Sequence, residues 1–106
     1  MYSVQIAAEA LDDLDRILDH YIELELAEDG LRRINRLLRR TPELNTLPER
    51  FGRLMTGEGR YASEARFLPA NDYEIIFVVD EAAKAVEVVG FLADKYDLTR
   101  LARRFG

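Results

Sequence analysis

At 106 residues, of which 48% are hydrophobic, the chain has the length of one small domain spanning residues 1 to 106 and enough apolar side chains for one core. It contains no cysteine, which excludes disulfides, thiol catalysis and thiolate metal sites. Its longest apolar run, IIFVV, is far shorter than the roughly 18 residues that a membrane span needs, and its acidic beginning does not fit a signal peptide. We therefore expect one soluble, cytoplasmic domain without a membrane partner.

The formal net charge of −5 conceals a segregation of charge along the chain. Residues 1 to 30 hold nine acids and one arginine, residues 31 to 66 hold nine arginines and four acids, and residues 67 to 106 hold seven acids and five bases. An acidic whole weakens long-range attraction to nucleic acid, because that attraction depends on cationic groups and is screened by salt. A local basic patch can still act at contact distance.

The first 40 residues predict a strand followed by two helices. Tyr2, Val4 and Ile6 alternate with polar residues, as in a strand. From residue 8 to about residue 28, apolar side chains recur every three or four positions, which predicts an amphipathic helix with an acidic outer face. Its predicted inner residues are Leu11, Leu14, Leu18, Tyr21, Ile22 and Leu26. Gly30 is predicted to end this helix, since glycine tolerates the left-handed conformation of many helix ends.

The second helix, residues 31 to 40, is predicted to place arginines outward and leucines inward, with Leu31, Ile34, Leu37 and Leu38 on its inner side. The outward arginines are Arg32, Arg33, Arg36, Arg39 and Arg40. Pro42 ends the helix, because proline lacks the amide hydrogen. A connector with two prolines and three glycines follows, up to about residue 62.

Three strands are predicted at about residues 62 to 68, 72 to 80 and 85 to 93. The links PAND and EAAK between them are short, which requires antiparallel neighbours. Asp97 or Thr99 can cap a short, basic C-terminal helix. The predicted fold is α+β, an antiparallel sheet with an N-terminal helical hairpin packed on one face, in the order β-α-α-β-β-β with a short C-terminal helix.

Several stretches together resemble a known family. These are ALDDLDRILDHYI on the first helix, the arginine-rich second helix, LPERFGRL in the connector, ARFL on the next strand, and YEIIFVVDEAAKAVEVVGFL as the closing hairpin. In order, spacing and apolar pattern the chain resembles the RelE/ParE superfamily of toxins from type II toxin–antitoxin systems, over roughly residues 2 to 93. None of these stretches is a catalytic signature.

The resemblance implies a small toxin that is neutralised by an antitoxin wrapping over its sheet and helices. RelE-like members cut messenger RNA on the ribosome, whereas ParE-like members inhibit DNA gyrase without covalent chemistry. Arg66 in ARFL matches a basic position often present in the family, and Lys95 with Tyr96 corresponds to the tail of the RNA-cleaving relatives. Glu74 stands where many members carry arginine, which counts against phosphate binding at that point.

RNA cleavage by a 2′-hydroxyl needs a base, an acid and cations for the developing phosphorane charge. The candidates for such catalysis are Arg60, Arg66, Lys95 and Tyr96, and the alternative is that these are solvated edge residues. His20 has no obvious partner between Asp19 and Tyr21, so we interpret it as a structural histidine. With one histidine and no cysteine we predict no metal site, and no phosphate loop or cofactor is expected.

Two surfaces are predicted to bind a partner. The strand at residues 72 to 80 carries apolar side chains on both faces, and a helical hairpin covers only one of them; exposed apolar patches usually mark interfaces. A C-terminal segment, an antitoxin or a second copy of the chain in a homodimer would cover the other face.

The second surface is the arginine face of the second helix. It can bind an acidic partner or a nucleic acid backbone, or it can offset the acids of the first helix along the hairpin rim. The predicted partner-binding residues are Ile76, Val78, Val89, Phe91, Arg32, Arg33 and Arg36.

Three functions follow as hypotheses. The leading one is a ParE-like toxin that binds a protein target such as DNA gyrase. The others are a RelE-like, ribosome-dependent endoribonuclease, and a non-toxic module that keeps the fold for binding or dimerisation. If the turn places Arg66 opposite or diagonal to Glu74, the two are expected to form a cross-strand ion pair, which would occupy the arginine that a nuclease most needs.

Overall fold

A computed structural model of the protein describes residues 1–46, 48–52 and 65–93. Two helices pack on one face of a four-stranded sheet, which confirms the predicted α+β fold class. In this part of the chain, no helix is long and apolar enough to cross a membrane. The elements are β1 (Ser3–Ile6), α1 (Ala8–Glu23), α2 (Ala27–Arg40), two 3₁₀ turns (Thr41–Asn45 and Pro48–Arg50), β2 (Arg66–Ala70), β3 (Tyr73–Asp80) and β4 (Ala85–Ala93).

The strands lie in the order β1-β4-β3-β2. The β2–β3 and β3–β4 hairpins are antiparallel, as their short links require. Strand β1 instead pairs with β4 in parallel, from Ser3 opposite Ala85 to Ile6 opposite Val88, so the sheet is mixed and the expected all-antiparallel pairing is wrong for this strand. The short links fixed the direction of the last three strands, but no short link joins β1 to its neighbour.

The helical hairpin turns earlier than the sequence indicated. Helix α1 ends at Glu23, and the left-handed conformation that closes the turn belongs to Glu25, with φ of 60°, not to a glycine. Gly30 lies inside α2, where an added Cβ would stand 2.8 Å from the Cβ of Tyr21 on α1. This glycine allows close contact between the helices, and its interpretation as a helix end is wrong.

The main core lies between the helices and the sheet. Its largest fully buried side chains are Phe77, Phe91, Leu37, Leu44 and Ile75. Tyr2 and the β1 residues Val4 and Ile6 pack against it as expected. The predicted inner face of the hairpin is wrong at the four residues Leu11, Ile22, Leu26 and Leu31, which remain 47%, 51%, 44% and 50% exposed. Helix α1 faces the core with Ala10, Leu14 and Ile17, so of the predicted inner leucines Leu14 is buried in the core, whereas Leu11 is exposed.

A β-bulge in β4 changes which side chains share a face. Gly90 lies opposite Ile76 and Val88 opposite Phe77, so Val89 is the additional residue. Val88 and Phe91 therefore both join the core under the helices, whereas Val89 joins the cluster on the other face. The expectation that Phe91 belongs to the outer apolar face is wrong, because the bulge shifts the alternation by one residue.

The outer face carries a second apolar cluster, formed by Ala65, Ile76, Val89 and Leu92 with Phe67 and Val78 at its margin. Ile76 and Val89 are buried, and Val78 is partly exposed. A partner that touches this face without rearrangement therefore has access to Val78 rather than to Ile76 or Val89. Partner binding by these residues stays a prediction.

Candidate functional site

The second helix and the β2–β3 turn enclose a cleft of about 290 Å³, which we call the arginine cleft. One side of the cleft is formed by residues of the second helix. Residues three, four and seven positions apart, such as Arg33, Arg36, Leu37 and Arg40, lie along one side of a helix. Asn71, with φ of 59°, forms the turn on the other side. The lining residues are Arg33, Arg36, Leu37, Arg39, Arg40, Ala70, Asn71 and Tyr73.

Two of the four arginines in the cleft already have acidic partners. Arg33 Nη1 lies 2.8 Å from Asp72 Oδ2, and this hydrogen bond raises the pKa of Arg33. The Arg33 guanidinium also lies 5.2 Å from the ring centre of Tyr21. Arg40 pairs with Glu43 beyond the end of the helix. The four arginines of the cleft, Arg33, Arg36, Arg39 and Arg40, form what we call the arginine row. The two acidic partners hold the first and the last of them in place.

The other two arginines, Arg36 and Arg39, are exposed. Neither makes a hydrogen bond or an ion pair with the described residues 1–46, 48–52 and 65–93. At the floor, Tyr73 is only 9% exposed, and burial, followed by a hydrogen bond with Tyr21, raises the pKa of its phenol to about 12. The cleft thus presents two uncompensated cations over a neutral floor.

Arg32 does not line the arginine cleft. Its guanidinium lies 3.1 Å from Asp29 and its Nε donates to the carbonyl oxygen of Glu28, 3.4 Å away. The structure therefore separates the predicted partner-binding arginines: Arg33 and Arg36 line one cleft, and Arg32 lies outside it. The acids that pair with α2 arginines in the described residues lie in α2 itself, the turn after it and the β2–β3 turn, so the expected pairing with α1 is not observed there.

Arg66 on β2 binds main-chain atoms of the segment that follows the second helix. Its Nη1 donates to the main-chain oxygens of Glu49, at 3.1 Å, and Phe51, at 2.7 Å. Arg66 lies opposite Phe77, and Glu74 lies opposite Pro69. Because neighbouring residues of a strand point to opposite faces, Arg66 and Glu74 are directed to different sides of the sheet. The arrangement on which their expected ion pair depended is therefore not formed.

Solved structures of toxin–antitoxin systems have a similar architecture. A chain of the chromosomal ParDE TA system from P. aeruginosa matches 88% of this chain and 96% of its own length, with a TM-score of 0.67 and 23% identity. The toxin–antitoxin complex RelBE2 from Mycobacterium tuberculosis matches 87% of this chain and 90% of its own, with a TM-score of 0.61 and 15% identity.

The archaeal RelE–RelB complex from Pyrococcus horikoshii OT3 matches 90% of this chain and 97% of its own, with a TM-score of 0.54 and 18% identity. The chain has a RelE/ParE-type fold. No protein-family model matches the sequence, and no curated protein is significantly similar to it. The resemblance seen in the sequence is therefore confirmed at the level of the fold.

The remaining predicted site residues are not brought together by the described structure. Arg60, Lys95 and Tyr96 lie outside the described residues, so a catalytic cluster around Arg66 stays a prediction. His20 lines a different cleft, of about 400 Å³, between α1 and the end of β4, and its ring contacts Tyr21 edge-on. The described residues contain no group of three histidines or acids placed to hold a metal ion.

Sequence reasoning missed a buried acid in the RelE/ParE-type fold. The pattern predicts that the acids of the first helix lie on its outer face, yet Asp13 is only 3% exposed, and its Oδ2 accepts a hydrogen bond from the backbone nitrogen of Phe91. A signal existed in its spacing, because Asp13 is three residues from Ala10 and four from Ile17, on the side of the helix that meets the sheet.

Proposed function

We propose that this chain is the toxin component of a type II toxin–antitoxin module and acts, in the ParE manner, by binding a protein target such as DNA gyrase. A cognate antitoxin is its expected partner. The observation that carries the proposal is the likeness to the P. aeruginosa ParDE structure, which extends over 88% of the chain at a TM-score of 0.67.

The setting of Arg66 favours binding over RNA cleavage. Its guanidinium is directed to two main-chain oxygens, which anchor the segment after the second helix. The single histidine of the chain lines the cleft between α1 and β4, and Arg66 is not among the residues of that cleft. His20 as a base and Arg66 as a phosphate-binding cation therefore lie in different places and cannot both act on one RNA phosphate in the transition state.

A RelE-like endoribonuclease is the second candidate, because the RelBE2 and RelE–RelB structures have the same fold. This function would require Arg60, Lys95 and Tyr96 to supply the chemistry that His20 and Arg66 do not. A non-toxic binding or dimerisation module is the third candidate, since one fold hosts several functions.

Induced expression in a bacterial host distinguishes the three functions. Growth arrest with intact messenger RNA and blocked supercoiling by purified gyrase is the result that we expect, and co-expression of the antitoxin should restore growth. Under this proposal the double variant Lys95→Ala, Tyr96→Phe still arrests growth. Cleaved transcripts, lost in that double variant, would identify a nuclease, and unimpeded growth would identify a non-toxic module.

A further inference from the structure

We propose that the arginine cleft binds an acidic segment of a protein partner, whose carboxylates pair with Arg36 and Arg39. This inference rests on the proposed function only in that a toxin of a toxin–antitoxin module has a protein partner. The binding itself is a property of the isolated chain and can be measured whether or not the chain is toxic.

The charge balance of the cleft is the first observation behind the proposal. Asp72 and Glu43 compensate Arg33 and Arg40, which leaves the positive charges of Arg36 and Arg39 without a partner in the described residues. Because Arg36 and Arg39 share one cleft of about 290 Å³, their guanidinium groups repel each other, and an anion relieves this repulsion. Arginine binds carboxylates through two parallel hydrogen bonds, so it suits this kind of ligand.

The chain itself already places one carboxylate at the edge of the cleft. The side chain of Asp72 is 77% exposed, yet its Oδ2 lies 2.8 Å from Arg33 Nη1. Such exposed pairs contribute little net stability, on the order of 0 to 1 kcal/mol, so a ligand can compete with this pair or extend it. Asp72 therefore shows that a carboxylate can reach a guanidinium group of this cleft from its edge.

The floor of the cleft favours a peptide over a nucleic acid. Single-stranded nucleic acids gain much of their affinity by stacking bases on exposed aromatic rings. Tyr73, the aromatic residue of the cleft, is only 9% exposed and offers no such surface. Leu37 and Ala70 are buried as well, so the aliphatic stems of the exposed Arg36 and Arg39 supply the apolar surface against which a small apolar side chain between two acids can rest.

The net charge of the protein points in the same direction. At −5, with nine acids in the first 30 residues, the chain repels a long polyanion such as RNA before contact. A short acidic peptide carries fewer charges and approaches the cleft locally, within the range of about 8–10 Å over which charges act at physiological salt. We therefore expect selectivity for carboxylates on a peptide over phosphates on RNA.

Fluorescence anisotropy on the purified full chain tests the proposal. The probe is a short fluorescein-labelled peptide of alternating Glu and Ala, and the control peptide carries Gln in place of every Glu. We expect the Glu peptide to bind in a salt-sensitive manner and the Gln peptide not to bind. The double variant Arg36→Gln, Arg39→Gln should weaken binding by about a hundredfold, since each of the two lost charge-assisted contacts reduces affinity by about tenfold.

Arg32→Gln provides the matched comparison, because it removes the same charge from the same helix one turn before Arg36 but outside the cleft. It should change the affinity for the Glu peptide by less than about twofold, because Arg32 is an exposed charge outside the cleft, and such charges contribute little. An equal loss in Arg32→Gln would overturn the cleft as the site, since the whole helix face would then be responsible. Single-stranded RNA that binds more tightly than the Glu peptide and depends on Arg36 and Arg39 would overturn the choice of a protein segment.

Charge reversal distinguishes a loss of binding from a loss of folding. The double variant Arg36→Glu, Arg39→Glu should no longer bind the Glu peptide and should instead bind a peptide of alternating Lys and Ala. Its circular dichroism spectrum should show an unchanged fold. Failure to bind either peptide in a folded variant would contradict the proposal. Peptide binding in a chain that does not arrest growth would refute the toxin function but leave the cleft intact, so the two failures are distinguishable.

Discussion

The buried carboxylate of Asp13 accepts a hydrogen bond from the backbone nitrogen of Phe91, with 3.0 Å between Oδ2 and N. This contact joins the first helix to the last strand just after the bulge at Val89. A buried donor that loses its acceptor costs about 1–3 kcal/mol, so Asp13→Ala should lower the free energy of unfolding by about that amount. Urea denaturation at neutral pH measures it.

Two variants make this test specific. Asp13→Asn keeps an oxygen that can accept the hydrogen bond and should lose less stability than Asp13→Ala. Asp12→Ala removes the neighbouring acid, which is exposed, and should change the free energy of unfolding by less than about 0.5 kcal/mol. Equal losses at positions 12 and 13 would mean that helix charge, and not the contact with Phe91, is responsible.

Gly30→Ala should destabilise the protein although alanine is the better helix former. The new Cβ would lie 2.8 Å from Tyr21 Cβ, a distance that forces the two helices apart. Overpacking of this kind typically costs about 1–3 kcal/mol, which outweighs a helix-propensity gain of about 1 kcal/mol. Thermal unfolding followed by circular dichroism measures the net effect.

Asn35→Ala is the control for Gly30→Ala, because Asn35 is exposed on the same helix and only its helix propensity changes. This variant should be neutral or more stable by a few tenths of a kcal/mol. A Gly30→Ala protein that is also more stable would show that the helices do not approach as closely as the structure indicates.

Arg66→Gln should destabilise the fold, because Arg66 anchors the main-chain oxygens of Glu49 and Phe51. Hydrogen bonds from a charged donor contribute about 1.5–3 kcal/mol, and part of this should be lost from the free energy of unfolding measured in urea. Arg36→Gln removes the same charge from a residue that makes no hydrogen bond or ion pair with the described residues, so it should leave the free energy of unfolding nearly unchanged. Full stability in Arg66→Gln would restore Arg66 as a residue available for catalysis.

Tyr73 should make the protein sensitive to alkaline pH. Burial raises the pKa of its phenol from 10.0 to about 12, so the folded state favours the neutral form. The resulting stability is fully present below pH 10 and is lost as the pH rises towards about 12. Urea denaturation across this range should show a steeper decline for the wild type than for Tyr73→Phe, which has no phenol to ionise there. Parallel declines would contradict the assignment, since the other alkaline groups are common to both proteins.

Particular elements show how far the sequence leads. The alternation at Tyr2, Val4 and Ile6 and the short links between the last three strands predicted the sheet and most of its pairing correctly. The arginine row of the second helix was also visible, because helical spacing alone places its members together. Its division into a cleft with Arg33 and Arg36 and a separate pair of Arg32 with Asp29 was not visible, since it depends on where the β2–β3 turn lies.

The sequence by itself determined the α+β class, the presence of two helices and the antiparallel strands, because periodicity and link length are local properties. The tertiary structure alone decided the parallel partner of β1, the contact of Gly30 with Tyr21 and the bulge that moved Phe91 to the inner face. It also decided that Arg66 and Glu74 point to opposite sides of the sheet. These features depend on register and on the approach of distant elements, which are set by packing between parts of the chain and not by the order of residues within one of them.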